Sequence, residues 1–162
     1  MIGLRRGDVR LFEHNKEWKI EGERTVNELR KILGSDAEYQ QHAVDIQHVG
    51  STSIKSIKAK PIIDIAVGTD DFNRILSHEA ELLKAGYHYR PNHDMGGAQL
   101  LFACGSYYEG GDMQTHFIHV VKYNSMEWRN YINFRDYLNT YPEIVKQYEN
   151  VKTGLVEKLG SM

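Results

Sequence analysis

Cysteine is almost missing from this 162-residue chain, and the single one, Cys104, excludes an internal disulfide and a multi-cysteine zinc site. It sits in the apolar run Leu100-Leu101-Phe102-Ala103-Cys104, where a small buried thiol is the simplest reading. Long apolar runs are missing too: none approaches the ~20 residues a membrane span needs. Met1-Ile2-Gly3-Leu4-Arg5-Arg6 leads into no apolar stretch of the kind a secretory signal carries. These features make a cytoplasmic location the expectation. An excess of charge of one sign is also absent. Twenty Lys and Arg stand against 22 Asp and Glu, a net charge of −2, which argues against broad nucleic-acid binding. With only three prolines and no repeat or low-complexity tract, nothing marks a linker, so residues 1–162 read as one domain.

What the chain does contain is an alternation of helical and strand periodicities. Trp18, Gly22, Val26, Leu29 and Leu33 share one face of a helix capped by Asn15 and ended at Gly34. Gly22 inside it costs ~1 kcal/mol relative to alanine, which points to a close packing contact. Strands are expected over Val44–Val49 and over the continuous run Ile62-Ile63-Asp64-Ile65-Ala66-Val67. A helix capped by Asp70 or Asp71 then carries Phe72, Ile75, Leu76, Leu82 and Leu83 as far as Gly86. Tyr87–Tyr89, Gln99–Cys104 and Thr115–Lys122 read as strands, the last two as an antiparallel hairpin. Ser125 opens a helix through Asn139. Thr140-Tyr141-Pro142-Glu143 has the capping-box pattern for a last helix striped by Ile144, Tyr148, Val151 and Leu155. The fold class is α+β, a small mixed sheet flanked by helices.

One segment concentrates chemistry. His48-Val49-Gly50-Ser51-Thr52-Ser53 is a glycine turn followed by hydroxyls, a shape whose backbone N–H groups suit phosphate oxygens. Lys55, Lys58 and Lys60 follow with no acidic residue before Asp64. A carboxylate inside an apolar strand needs a cation or hydrogen bonds, and a divalent metal facing a phosphorylated ligand would supply one. An ordinary capped turn, an Asp–Lys pair and a solvated lysine face account for the same residues separately. His116 and His119, three apart on a strand, point to opposite faces, so a shared metal is not expected, whereas Phe117 shares a face with His119. His48 donates to a phosphate, orients the turn, or is a satisfied structural histidine. Arg135, beside Asp136, either forms a helix-surface ion pair or reaches the cleft as a phosphate clamp.

His48 to Ser53, Lys60 to Gly68, Thr115 to Val121 and Phe134 to Leu138, in this order, closely resemble the GrpB-like family, over about Gly7 to the C-terminus. That family resembles a branch of the nucleotidyltransferase superfamily, which shares its fold with DNA polymerase β. The resemblance implies a nucleotidyltransferase-like sheet and a Gly-Ser turn, here Gly50-Ser51. It also implies a first metal-binding carboxylate about a dozen residues on, here Asp64 after twelve intervening residues. Superfamily enzymes hold two Mg²⁺ ions on Asp-x-Asp and a third carboxylate. This chain has Ala66 at the second acidic position and no evident third acid, so the carboxylate set of an enzyme is incomplete. The expected ligand is a nucleotide or another phosphorylated small molecule, bound by His48, Gly50, Ser51, Thr52, Ser53 and Lys60 with Mg²⁺ or Mn²⁺ on Asp64. His116, His119 and Arg135 are possible neighbours. The alternatives are a non-catalytic module that binds nucleotides or coenzyme A precursors, and a metal-dependent phosphohydrolase using Asp64 and a histidine.

Overall fold

A computed structural model describes residues 1–34 and 44–160. In chain order the elements are β1 (Leu4–Arg5), α1 (Lys16–Leu33), β2 (Asp45–Val49), a 3-10 turn (Ser51–Ser53), β3 (Ile63–Thr69), α2 (Phe72–Leu76), α3 (Glu79–Lys84), β4 (His88–Tyr89), β5 (Gln99–Cys104), β6 (Met113–Gln114), β7 (His116–Lys122), α4 (Met126–Thr140) and α5 (Pro142–Gly160). The main sheet runs β2-β3-β7-β5-β4. Only β3 and β7 are parallel, and the other pairs are antiparallel. This is the α+β mixed sheet that the pattern implies. β1 and β6 form a separate two-strand ladder, too short to leave a periodicity in the sequence.

Alternation along the central strands decides what lies on each face. Ile63, Ile65, Val67, Phe102, Ile118 and Val120 meet Trp18, Val26, Leu29 and Leu33 of α1 in the main core. The opposite face carries Val49, Ala66 and Val121 beneath Trp128 of α4. A third cluster, Ile54, Ile57, Leu138 and Val145, ties α4 and α5 to the segment after the 3-10 turn. Among the described residues no helix is long and apolar enough to cross a membrane.

Asn15 caps α1 by accepting from the Glu17 N–H, and Gly34 closes it. Gly22 is the close contact its position suggests. A Cβ built there would lie 2.3 Å from Nδ1 of His48. Helix propensity favours alanine by ~1 kcal/mol, while overpacking costs about 1–3 kcal/mol. The overlap is deep and the His48 ring is tethered, so Gly22→Ala should lose about 2 kcal/mol net in urea unfolding. An unchanged or raised midpoint would refute that packing.

Three local expectations change. The helix drawn from Asp70 or Asp71 to Gly86 is two helices. Asp71 caps the first, and the chain breaks at Ser77, whose hydroxyl turns back onto the Arg74 carbonyl. Thr140 does not cap α5. It is the last residue of α4, and its hydroxyl donates to the Asp136 carbonyl at 2.7 Å. Tyr141 before Pro142 leaves the helical region, with φ −119° and ψ 82°, and makes the break between the helices. The apolar stripe of α5 ends early: Ile144, Val145 and Tyr148 pack, whereas Val151 and Leu155 are 66% and 56% exposed.

Candidate functional site

The register of β2 on β3 places Val49 opposite Asp64, so the next residue, Gly50, begins its turn directly over that carboxylate. Gly50 has φ +72°, and a Cβ there would sit 2.7 Å from Oδ2 of Asp64. Both the conformation and the proximity require glycine. The turn then closes on itself: Ser53 N–H and hydroxyl both donate to the Gly50 carbonyl.

β7 supplies the other wall. Phe117 pairs with Asp64 across the ladder and His119 with Ala66. Nε2–H of His119 donates to Oδ1 of Asp64 at 3.0 Å, while Nδ1 is buried with no hydrogen-bond partner among the described residues. The imidazole ring lies 5.3 Å from the Tyr131 ring of α4. Burial, followed by the Asp64 and Glu127 carboxylates, raises the Tyr131 phenol above its ordinary range. Two cavities meet at Asp64 and Ser51. One, about 360 Å³, is also lined by Arg5, Lys60, Gln114 and Phe117. The other, about 480 Å³, lies under α4 against Glu127, Asn130, Tyr131 and Phe134.

Gly50, Ser51, Asp64, Lys60 and His119 therefore converge. Thr52 and Ser53 shape the turn: Thr52 is 1% exposed and its hydroxyl is bonded to His48. His48 lies on the other side of the sheet, against Gly22, with Nε2 2.9 Å from Thr52 Oγ1. This geometry matches a structural histidine that orients the turn, rather than a donor to phosphate. Burial holds its pKa down at about 4. His116 also faces α1, donating to Glu21 at 2.9 Å and accepting from Thr115. Burial keeps it low, against the pull of Glu21. The two strand histidines are thus on opposite faces. Arg135 braces α4 to β2, with Nη1 donating to Gln47 Oε1 at 2.8 Å and to the His48 carbonyl at 3.1 Å, and Nε to Asp136. Lys58 is drawn to Glu13 at 3.5 Å, so the lysine-rich stretch is less one-sided in space than in sequence. Cys104 is largely enclosed, and burial pushes its thiol up to about 12.

Glu127, Asn130, Tyr131 and Phe134 were not legible as site residues. Their spacing of three and four marks one helical face, but nothing in the sequence says that this face looks onto Asp64.

The donor set does not suit a two-ion centre. Ala66 is fully buried under Trp128, and no group of three or more potential ligands forms among the described residues. His119 holds Oδ1 of Asp64, while Oδ2 lies against the Gly50 backbone.

The turn–strand geometry and sheet order define a nucleotidyltransferase-like fold. A cytoplasmic RNA terminal U-transferase superimposes on 82% of this chain and 38% of its own, with a TM-score of 0.56 at 16% identity, a likeness of fold. The chain belongs to the GrpB family, whose description, GrpB protein, matches residues 8–161. The glutamate-rich protein GrpB of Alkalihalophilus pseudofirmus is 38% identical over 98% of this chain and 87% of its own length. The crystal structure of the conserved protein GrpB from Enterococcus faecalis covers 94% of this chain and 86% of its own, with a TM-score of 0.78 at 24% identity.

Proposed function

We propose that this chain binds a nucleotide or another phosphorylated small molecule in the cleft at Gly50–Ser51, with one Mg²⁺ or Mn²⁺ on Asp64, in the cytoplasm. The observation that carries the reading is the approach of the Gly50 backbone to the Asp64 carboxylate where two cavities meet. Lys60 and Ser51 line the same space and offer a cation and a hydroxyl to phosphate oxygens. The ion would neutralise phosphate charge beside Asp64. His119 would hold the carboxylate in place through its Nε2–H.

A second reading is favoured by a specific observation: the position of the second acid is sealed by Trp128. On this reading the chain is a module that binds a nucleotide or a coenzyme A precursor and transfers nothing. Calorimetric titration with ATP, the other nucleotides and coenzyme A precursors, with and without Mg²⁺ or Mn²⁺, tests both. Metal-dependent binding is expected, and Asp64→Asn should abolish the metal-dependent part. Binding of none of these ligands would refute both readings, and metal dependence unchanged in Asp64→Asn would remove Asp64 from the site. Metal-dependent pyrophosphate release that vanishes in Asp64→Asn would decide for transfer.

A further inference from the structure

On the far side of Phe117 from Asp64 the same sheet face opens into a third cavity of about 360 Å³. Four separate stretches of chain build it: Arg6 from the N-terminal segment, Arg90 and His93 after β4, Tyr107 and Tyr108 from the β5–β6 connection, and His119 of β7. No aspartate or glutamate lines it, in a chain whose net charge is −2. The two arginines lie over aromatic rings. The Arg6 guanidinium is 4.7 Å from the Tyr107 centroid, and that of Arg90 is 5.0 Å from Tyr108. Stacking of this kind holds the planar fork in place and leaves its edge N–H groups for a ligand.

Five other arginines are already matched to acids. Arg5, Arg10, Arg24, Arg74 and Arg135 each meet a carboxylate. Among the described residues Arg6 and Arg90 have none within ion-pair distance. Glu109, at the end of the Tyr107-Tyr108 turn, is instead drawn to His88 at 3.5 Å. The frame around the arginines is tied by hydrogen bonds. Arg6 N–H donates to the Asp112 carbonyl, Arg90 N–H to that of Leu101, and the Gln114 amide to the Tyr108 hydroxyl.

We infer that this cavity is a metal-independent site for the phosphate of a small organic phosphomonoester. Two forked guanidinium groups suit the several oxygens of a phosphate dianion, and Met95, Leu101 and Phe117 offer apolar surface to the body of the molecule. The body would extend past Phe117 toward His119, the side chain that also touches Asp64. The inference does not rest on metal binding at Asp64.

Phenyl phosphate, titrated in EDTA and followed by calorimetry and amide chemical shifts, is the probe. Saturable binding is expected, with shifts at Arg6, Arg90, Tyr107 and Tyr108. Arg6→Gln and Arg90→Gln should each weaken it by about tenfold or more, the loss of one charge-assisted contact. Benzoate should bind about tenfold more weakly than phenyl phosphate. Both arginine variants remove partly exposed side chains, and unfolding midpoints close to the parent's would show that they fold. Absence of saturable binding, parent-like affinity in both arginine variants, or equal affinity for benzoate would each overturn the site. A parent that binds phenyl phosphate in this way but none of the nucleotides or coenzyme A precursors, with or without Mg²⁺ or Mn²⁺, would refute the proposed function and leave this site standing.

Discussion

Introducing the missing acid as Ala66→Asp is expected to destabilise the fold by about 3–5 kcal/mol, the cost of an unpaired buried charge, rather than to create a two-ion centre. Residue 66 shares a strand face with Asp64, so its side chain leaves the sheet on the same side. In this chain that direction is closed. Ala66 is fully buried and packs with Val49, Val121 and Trp128. Gly68, two residues on, would put a Cβ 3.1 Å from the Trp128 ring, so the indole lies directly on the strand. An aspartate here would have to displace the indole or lose hydration with no cation beside it. A buried carboxyl has a folded-state pKa raised above its unfolded value, so the penalty should be full at neutral pH and shrink as pH falls through that raised value. Ala66→Asn, which brings the polarity without the charge, should show a deficit with little pH dependence. Urea unfolding at two pH values, each variant against the parent, measures this. An Ala66→Asp chain as stable as the parent that gains metal-dependent pyrophosphate release would overturn this account of the missing acid.

Residues that act through local chain chemistry were readable in advance. Asn15 and Gly34 set the ends of α1, and the β-branched run through Ile63–Val67 set the central strand. Gly22 signalled a tight contact because glycine in mid-helix is otherwise unfavourable, and the partner proved to be His48. The period of two along a strand by itself separates His116 from His119. Which β3 residue His119 would meet was not readable, because the order β2-β3-β7-β5-β4 brings residues 55 positions apart into contact. The same holds for Arg135. Its sequence neighbour Asp136 suggested a surface pair, and its contacts with Gln47 and the His48 carbonyl depend on how α4 crosses the sheet. Arg6 and Arg90 carried no sequence signal at all. Arg6 sits between Arg5 and Gly7 with Asp8 close by, Arg90 sits between Tyr89 and Pro91, and only the fold brings the two to one acid-free cavity.

Acidification from pH 7.5 to 4.5 is expected to cost the protein about 2–3 kcal/mol through His48 alone. Burial between α1 and the sheet is the chief cause that holds its pKa at about 4, partly offset by the Asp64 carboxylate. In the unfolded chain the ring takes up a proton near 6.5. The folded-state value is therefore the lower one, and the neutral ring's contribution is complete above about 6.5 and lost as pH falls toward 4. His116 and His14 are also held low by burial and act in the same direction. His48→Gln, whose amide can still reach Thr52, should flatten the dependence. Between pH 7.5 and 4.5 the parent should lose about 2–3 kcal/mol more than the variant in urea unfolding. Equal losses would show that His48 titrates alike in both states and is not buried as described. Any nucleotide binding at Gly50–Ser51 should follow the same acid limb. His48 holds Thr52, Thr52 belongs to the turn that places Gly50 over Asp64, and a protonated ring forced out of its pocket would release all three. Affinity that falls with pH in the parent before the protein unfolds, and less steeply in His48→Gln, would trace the coupling from the buried ring to the turn.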